Sequence, residues 1–457
     1  MVIAIQENYS AKLMTISMDE LIKKWASLKE NVSEANLNAQ FTNWLLDFLA
    51  FSYDVTPTIG GGLRPDYVLY DISGKPLLYI ETKTRNPNIA KSRPENFLDE
   101  CKINSLYTSA VYGNGGTAGI KQYLTTKNAA KYGMVFNGDF WQLFRRIDGL
   151  VLPLTDILRV TQESLPKLVE QLQSYLRNPD RAFTVSLWNR KGGVGKTTNI
   201  INIAAVLARA NKRVLVVDID PQSDLTRGLG IEPSQYKNKI LGCFDQIGLG
   251  NKDKALELLD ELITRQQFHV PTEKSSFQID VIPTERETLE HFRNEEYTIK
   301  NKQTLLKRLL SLIVDRYDYI FIDTSPDPDI LTASSFFAAD GLLIPADYDQ
   351  RALHHARDIS QGYTPKIRSH RGDIHPRLLG VVFSNHVDMG KKMDDAVKAF
   401  LEKSSLKVYD TKLGIYAVVR QASFKQQPVI SVSPKAQISK DYQKLVDEIF
   451  LTPNFIY

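Results

Sequence analysis

The sequence predicts an α/β protein in two domains, the second built on a mostly parallel sheet flanked by helices. Three observations predict it. The 457 residues exceed the roughly 250–300 that one hydrophobic core usually serves. From Phe183 onward, apolar runs of strand length alternate with longer helical segments. Between the two parts lies Arg177-Asn-Pro-Asp180, a polar stretch with a proline, which reads as a linker. The division is therefore 1–178 and 179–457.

The N-terminal part opens with a helical pattern over 36–50. Leu37, Phe41, Leu45 and Leu49 recur at four-residue spacing, with Trp44 and Phe48 one position before Leu45 and Leu49. Tyr67–Tyr70 and Leu77–Ile80 flank the turn-rich Asp71-Ile-Ser-Gly-Lys75 and predict a hairpin. Gly133–Phe136 and Phe140–Phe144 flank Asn137-Gly138, the strongest short hairpin signal. Thr161–Leu176 closes the domain as a helix.

In the C-terminal part, Phe183–Trp188, Arg213–Val217, Gln278–Ile282, Tyr319–Ile322, Gly341–Ile344 and Leu378–Phe383 are apolar without polar alternation. Strands of that kind are buried on both faces, as in a parallel sheet. No repeat with a period of 20–50 residues is present.

Composition narrows the function classes. Hydrophobic residues make up 43% and charged residues 24%, a globular balance that excludes fibrous and disordered chains. Lys and Arg number 57 against 53 Asp and Glu. The excess is uneven: residues 351–457 hold 17 basic and 10 acidic side chains, whereas 1–180 hold 19 of each. A basic C-terminal segment can meet a polyanion. Two cysteines, Cys101 and Cys243, cannot build a disulfide framework or a cysteine metal site. The first ten residues lack a signal-peptide pattern, and no apolar run approaches the roughly 20 residues of a membrane span. A cytoplasmic protein is expected, with no membrane partner.

The most specific motif is Asn189-Arg-Lys-Gly-Gly-Val-Gly-Lys-Thr-Thr198, which follows a strand and opens a helix. Gly192, Gly193 and Gly195 let the backbone wrap phosphate oxygens, and the loop's N–H groups, Val194 included, point at the negative charge. Lys196 reaches the terminal phosphates, the Thr197 hydroxyl can ligate Mg²⁺, and Thr198 completes the loop.

The usual first glycine of a P-loop is Arg190 here, and a lysine follows it. With that departure, the motif resembles the deviant Walker motif of the ParA/MinD partition ATPases. The resemblance continues through Val214-Leu-Val-Val-Asp-Ile-Asp-Pro-Gln222, Tyr317-Asp-Tyr-Ile-Phe-Ile-Asp323 and Ser423–Ile430, and covers essentially 182–450. It implies ATP and Mg²⁺ as cofactors and a homodimer in the ATP state. It implies that Lys191 reaches the partner's ATP, that Asp220 orients the attacking water, and that Asp218 and Asp323 serve the Mg²⁺ shell. It places Asn385 near the adenine. It further implies nonspecific DNA binding at a nucleoid-associated location through Arg420, Lys425, Lys435, Lys440 and Lys444, and an adaptor protein that stimulates hydrolysis.

The first domain carries Arg64-Pro-Asp66 followed by Glu81-Thr-Lys83. This matches the Pro-Asp…Glu-x-Lys pattern of restriction-endonuclease-like nucleases. With Glu34 ahead of the helix and the strand pair 132–144 after it, the segment looks like the nuclease domain of type I restriction-enzyme motor subunits. Strand alternation puts Glu81 and Lys83 on one face and Thr82 on the other. The resemblance implies Asp66 and Glu81 as Mg²⁺ ligands, Lys83 beside the attacked phosphodiester, and Glu34 as a further acid. That family often has Gln four residues before a Tyr; here Gly119 stands four before Tyr123 and Gln122 is adjacent.

Three functions stay open from sequence. The first is a ParA-like ATPase for DNA partition or positioning with an appended nuclease-like domain. The second is an ATP-regulated endonuclease directed at foreign DNA. The third treats the N-terminal domain as a binding module without chemistry.

Overall fold

The computed structural model describes residues 16–29, 32–83, 110–113, 118–273, 275–294, 301–386 and 390–456. Cys101 lies outside them. The chain divides into two compact units, Met1–Pro179 with Pro453–Tyr457, and Asp180–Thr452. The sequence division assigned 453–457 to the second part, whereas the structure pairs them with the first.

Among the described residues the first unit holds β1 (Ser52–Val55), β2 (Tyr67–Tyr70), β3 (Pro76–Thr82), β4 (Tyr132–Phe136), β5 (Phe140–Ile147), β6 (Leu150–Pro153) and β7 (Leu158–Arg159). The second unit holds β8 (Phe183–Leu187), β9 (Val214–Ile219), β10 (Thr264–Val270), β11 (Ser275–Ile282), β12 (Tyr319–Thr324), β13 (Gly341–Ala346) and β14 (Arg377–Phe383). The last strand, β15 (Asn454–Phe455), returns to the first unit.

The first unit's sheet runs β1-β2-β3-β4-β5-β6-β15, with β7 on β5. The two predicted hairpins are present: β2 and β3 pair antiparallel, as do β4 and β5. Asn137 shapes the second turn by accepting from the N–H groups of Asp139 and Phe140 at 3.1 and 2.8 Å. Side-chain alternation splits the core between the two sheet faces. Leu78, Ile80 and Met134 join the helical cluster that contains Leu37, Phe41, Leu45 and Leu49. Tyr79, Val135 and Tyr123 join a second cluster with Ile120. The 36–50 helix begins at Glu34 and has a π-helical turn over Asn38–Thr42 before continuing as Asn43–Leu49. Ala50, in the left-handed region, ends it.

The second unit's sheet runs β10-β11-β9-β12-β8-β13-β14. The pairs from β11 to β14 are all parallel, and β10 adds an antiparallel edge. β8, β9, β12 and β13 are buried at every residue, as their unbroken apolar runs predict. By register Leu215, Val217, Ile320, Ile322, Leu342, Ile344 and Val381 share one face, where they pack in two clusters, while Tyr319 and Phe321 point to the other and meet Phe450. Each such side chain adds roughly 1.5–3 kcal/mol by burial.

Candidate functional site

The P-loop sits where β8 feeds the helix Lys196–Arg209. Gly193 and Gly195 have φ of 75° and 86°, a region that favours glycine. A Cβ at Gly192 or Gly193 would meet nothing within 4 Å, so the loop faces open space. At Gly195 it would lie 3.3 Å from the Ser384 Cβ, which closes the loop's other side. Asn189 is fully buried and staples the loop's entrance. Its Nδ2 donates to the Pro345 and Ala352 carbonyls at 2.9 and 3.2 Å, and its Oδ1 accepts from Lys191 N–H at 3.0 Å. Asn385 Nδ2 donates to the Gly193 carbonyl at 3.0 Å.

Carboxylates gather at the carboxyl ends of β9 and β12, where open α/β sheets bind ligands. Asp218 and Asp323 are register neighbours and fully buried. Thr197 Oγ1 donates to Asp323 Oδ2 at 2.6 Å, which joins the two groups a P-loop uses on its Mg²⁺ side. Burial raises Asp323 well above the usual carboxylate range, and the neighbouring Asp218 charge adds to it. Burial also lowers Lys196, while the charges of Asp323 and Asp220 oppose that shift. Asp220 is raised by burial, and its Oδ1 accepts from Gln222 N–H at 3.0 Å.

Asp218 holds a local structure together. Its Oδ2 accepts from the Thr226 N–H and hydroxyl at 2.9 and 2.6 Å, and its Oδ1 from the Asp220 N–H at 3.1 Å. It ties the strand end to the helix Asp224–Gly228. Burial pushes its pKa up to about 7. Among the described residues no group of three or more His, Cys, Asp or Glu is arranged to hold a metal. A P-loop Mg²⁺ needs none, because it keeps waters and phosphate oxygens.

Lys191 shows an arrangement that the sequence did not signal. Its Nζ lies 2.6 Å from Asp347 Oδ2 and 3.6 Å from Asp349 Oδ2, both just past β13. Asp349 also caps the helix Gln350–Asp358.

The profile of the AAA domain matches residues 182–370. A ParA family protein of Chlamydia trachomatis is 30% identical over 285 residues, 59% of this chain and 99% of that protein. The chain belongs to the ParA family. The sporulation initiation inhibitor protein Soj of Bacillus subtilis is 27% identical over 270 residues, 58% of this chain and 97% of Soj. A solved structure of pNOB8 ParA bound to nonspecific DNA is 28% identical at a TM-score of 0.44, covering 59% of this chain and 97% of that one.

The five basic residues singled out beyond the ParA-type sheet are all exposed. Arg420 lies on the helix Ala417–Phe424, with Lys425 just past it, and Lys440 and Lys444 are one turn apart on Gln437–Val446. Lys435 precedes that second helix. None of the five pairs with a described carboxylate. No helix among the described residues is long and apolar enough to cross a membrane.

The residues ahead of the ParA-type unit form a second cluster. Lys83 Nζ lies 2.6 Å from Glu81 Oε1 and 3.8 Å from Glu34 Oε2. The Tyr123 hydroxyl lies 3.1 Å from Glu81 Oε2, so the tyrosine reaches the cluster although Gly119 replaces the glutamine four before it. Gln122 instead accepts from the Gly119 N–H at 3.0 Å. Asp66 turns partly away: its Oδ2 accepts from the Thr82 N–H and hydroxyl at 2.6 and 2.7 Å. Burial pushes Glu81 up to about 7, while the Lys83 charge opposes that rise. Burial raises Glu34 too. The structure thus gathers Glu34, Glu81 and Lys83, and directs one Asp66 oxygen to Thr82 rather than to a shared ligand.

Proposed function

We propose that the C-terminal unit is an ATPase that dimerises on ATP, binds DNA nonspecifically in the dimer, and releases it on hydrolysis. The role is DNA partition or positioning, with an adaptor protein that stimulates turnover, at the nucleoid. The observation that carries this reading is the meeting of Lys196, Thr197, Asp220 and Asp323 at one P-loop. The nucleotide is ATP with Mg²⁺, and the open glycine cradle fits its phosphates. Backbone N–H groups of residues 192–198 and the Lys196 ammonium bind the phosphate charge. Thr197 and Asp323 hold the Mg²⁺ side, where the bound ion would offset charge on the phosphates. Asp220 orients the attacking water, and Lys191 reaches across to the partner's nucleotide. The test is steady-state ATP turnover. Lys196→Ala should abolish it, and unchanged turnover would remove the site assignment.

A second reading concerns the first unit, a restriction-endonuclease-like domain over 1–178. The gathering of Glu34, Glu81, Lys83 and Tyr123, with Asp66 one strand away, favours a Mg²⁺-dependent nuclease that ATP regulates. Glu81 and Asp66 would hold the metal, and Lys83 would orient the water. Plasmid cleavage with Mg²⁺ or Mn²⁺ tests it, and loss in Glu81→Ala supports it. No cleavage with DNA binding retained would leave a binding module.

A further inference from the structure

We infer that the C-terminal strand β15 carries the nucleotide state of the P-loop to the Glu81 cluster. This is a regulation of the second site and rests on both readings above. The ATPase unit is held at two points of the chain: the linker Arg177–Asp180 leads into it, and Thr452-Pro453 leads out of it into a strand of the first unit's sheet.

The upstream part is a buried hydrogen-bond chain. Asn199, on the P-loop helix, donates through Nδ2 to Ser384 Oγ at 2.8 Å and accepts through Oδ1 from the Tyr442 hydroxyl at 3.0 Å. All three residues are at most 3% exposed. Ser384 is also the residue against which the Gly195 turn closes. A shift of Gly195 and Lys196 on phosphate binding therefore reaches the helix Gln437–Val446. That helix runs on as a π-helical turn over Asp447–Leu451, where Phe450 packs edge-on against Tyr319 with ring centres 5.3 Å apart. Thr452 N–H bonds back to the Asp447 carbonyl at 2.7 Å, and Pro453 fixes its own φ, so few residues of chain separate the helix end from β15.

The downstream part lies within the first unit. Asn454 N–H donates to the Gly149 carbonyl and Ile456 N–H to the Val151 carbonyl, both at 2.8 Å. The Phe455 ring stacks on Phe144, with centres 6.0 Å apart, and meets Lys121 Nζ at 5.8 Å. Lys121 stands on the short helix Ile120–Leu124, beside Tyr123, whose hydroxyl reaches Glu81. Phe144, Ile120 and Tyr123 belong to one apolar cluster against which Phe455 packs, and the chain itself makes the passage from the other unit.

The experiment is amide hydrogen exchange on the full chain, with and without a saturating non-hydrolysed ATP analogue and Mg²⁺. Nucleotide should change exchange at Leu150–Pro153 and Ile120–Leu124. A flexible Gly-Ser insertion between Thr452 and Pro453 should lose that change while nucleotide binding persists. Phe455→Ala, which keeps the strand's hydrogen bonds, should lose it at Ile120–Leu124. Normal binding with unmoved exchange in the wild type overturns the coupling, as does a change that survives the insertion. Absence of nucleotide binding removes the ATPase reading itself, so the two failures are told apart.

Discussion

Lys191 makes the sharpest prediction about the dimer. To reach a partner's nucleotide it must leave Asp347, 2.6 Å away, and Asp349, 3.6 Å away. Lys191 is 27% exposed and Asp347 20%, so the pair is partly screened and worth about 1 kcal/mol rather than the value for a dry interior. Two such clasps open per dimer, at a cost of ~2 kcal/mol, which is about 30-fold in the dimer dissociation constant. Asp347→Asn removes the charge and keeps an oxygen for the Asp349 N–H, now 3.2 Å away. Asp349 is the worse choice, because it caps the helix Gln350–Asp358. The assay is sedimentation equilibrium with Mg²⁺ and a non-hydrolysed ATP analogue. Asp347→Asn should dimerise more tightly than the wild type by about that factor. A weaker dimer would refute the reasoning and show that Asp347 aims the lysine rather than holding it back.

Two further predictions address the other charged sites. Glu81 has its pKa raised from 4.5 to about 7 by burial, so the folded state holds that proton more tightly than the unfolded chain. Stability should then fall as pH rises from about 4.5 to 7, by ~3 kcal/mol from this group. Glu34, Lys83 and Tyr123 face the same group, and Glu81→Gln should flatten the slope in urea unfolding between pH 5 and 7.5; parallel curves would contradict this. For DNA, Lys440→Glu with Lys444→Glu should weaken binding of the ATP dimer at all sequences and lower the salt slope by about 2, read by fluorescence anisotropy across salt concentrations. An unchanged slope would place the DNA elsewhere.

Much of the fold was legible because burial leaves a simple mark. β8, β9, β12 and β13 lie between two helical layers, so each reads as an unbroken apolar run. The Asn137-Gly138 turn and the P-loop were legible because glycine and asparagine are tied to particular backbone shapes. β10 was not, because as an edge strand it mixes Arg, Gln and His with Phe and Val and exposes three of its seven residues. The helix Met18–Ala26 was missed although its capping box, Ser17 with Glu20, stands in the sequence. β15 could not be read at all: two residues carry no periodicity, and its pairing with β6 is long-range.

The sites divide in the same way. Lys196, Thr197, Asp220 and Asp323 follow from strand-end motifs whose place in the sheet dictates proximity. The Asp347 clasp on Lys191, the Thr226 bonds to Asp218 and the Thr82 bonds to Asp66 are contacts of side chains that no spacing rule encodes. They are also what changes the chemistry, since each decides which carboxylate oxygen is left for a ligand.

A nucleotide-made dimer that Lys191 completes in trans is the centre of the proposed cycle. Sedimentation velocity with Mg²⁺ and ATP tests this most directly, in Asp220→Ala and in Asp220→Ala combined with Lys191→Ala. A trapped dimer is expected for the first and a monomer for the second. A monomer in the first, or an equal dimer in the second, would contradict it.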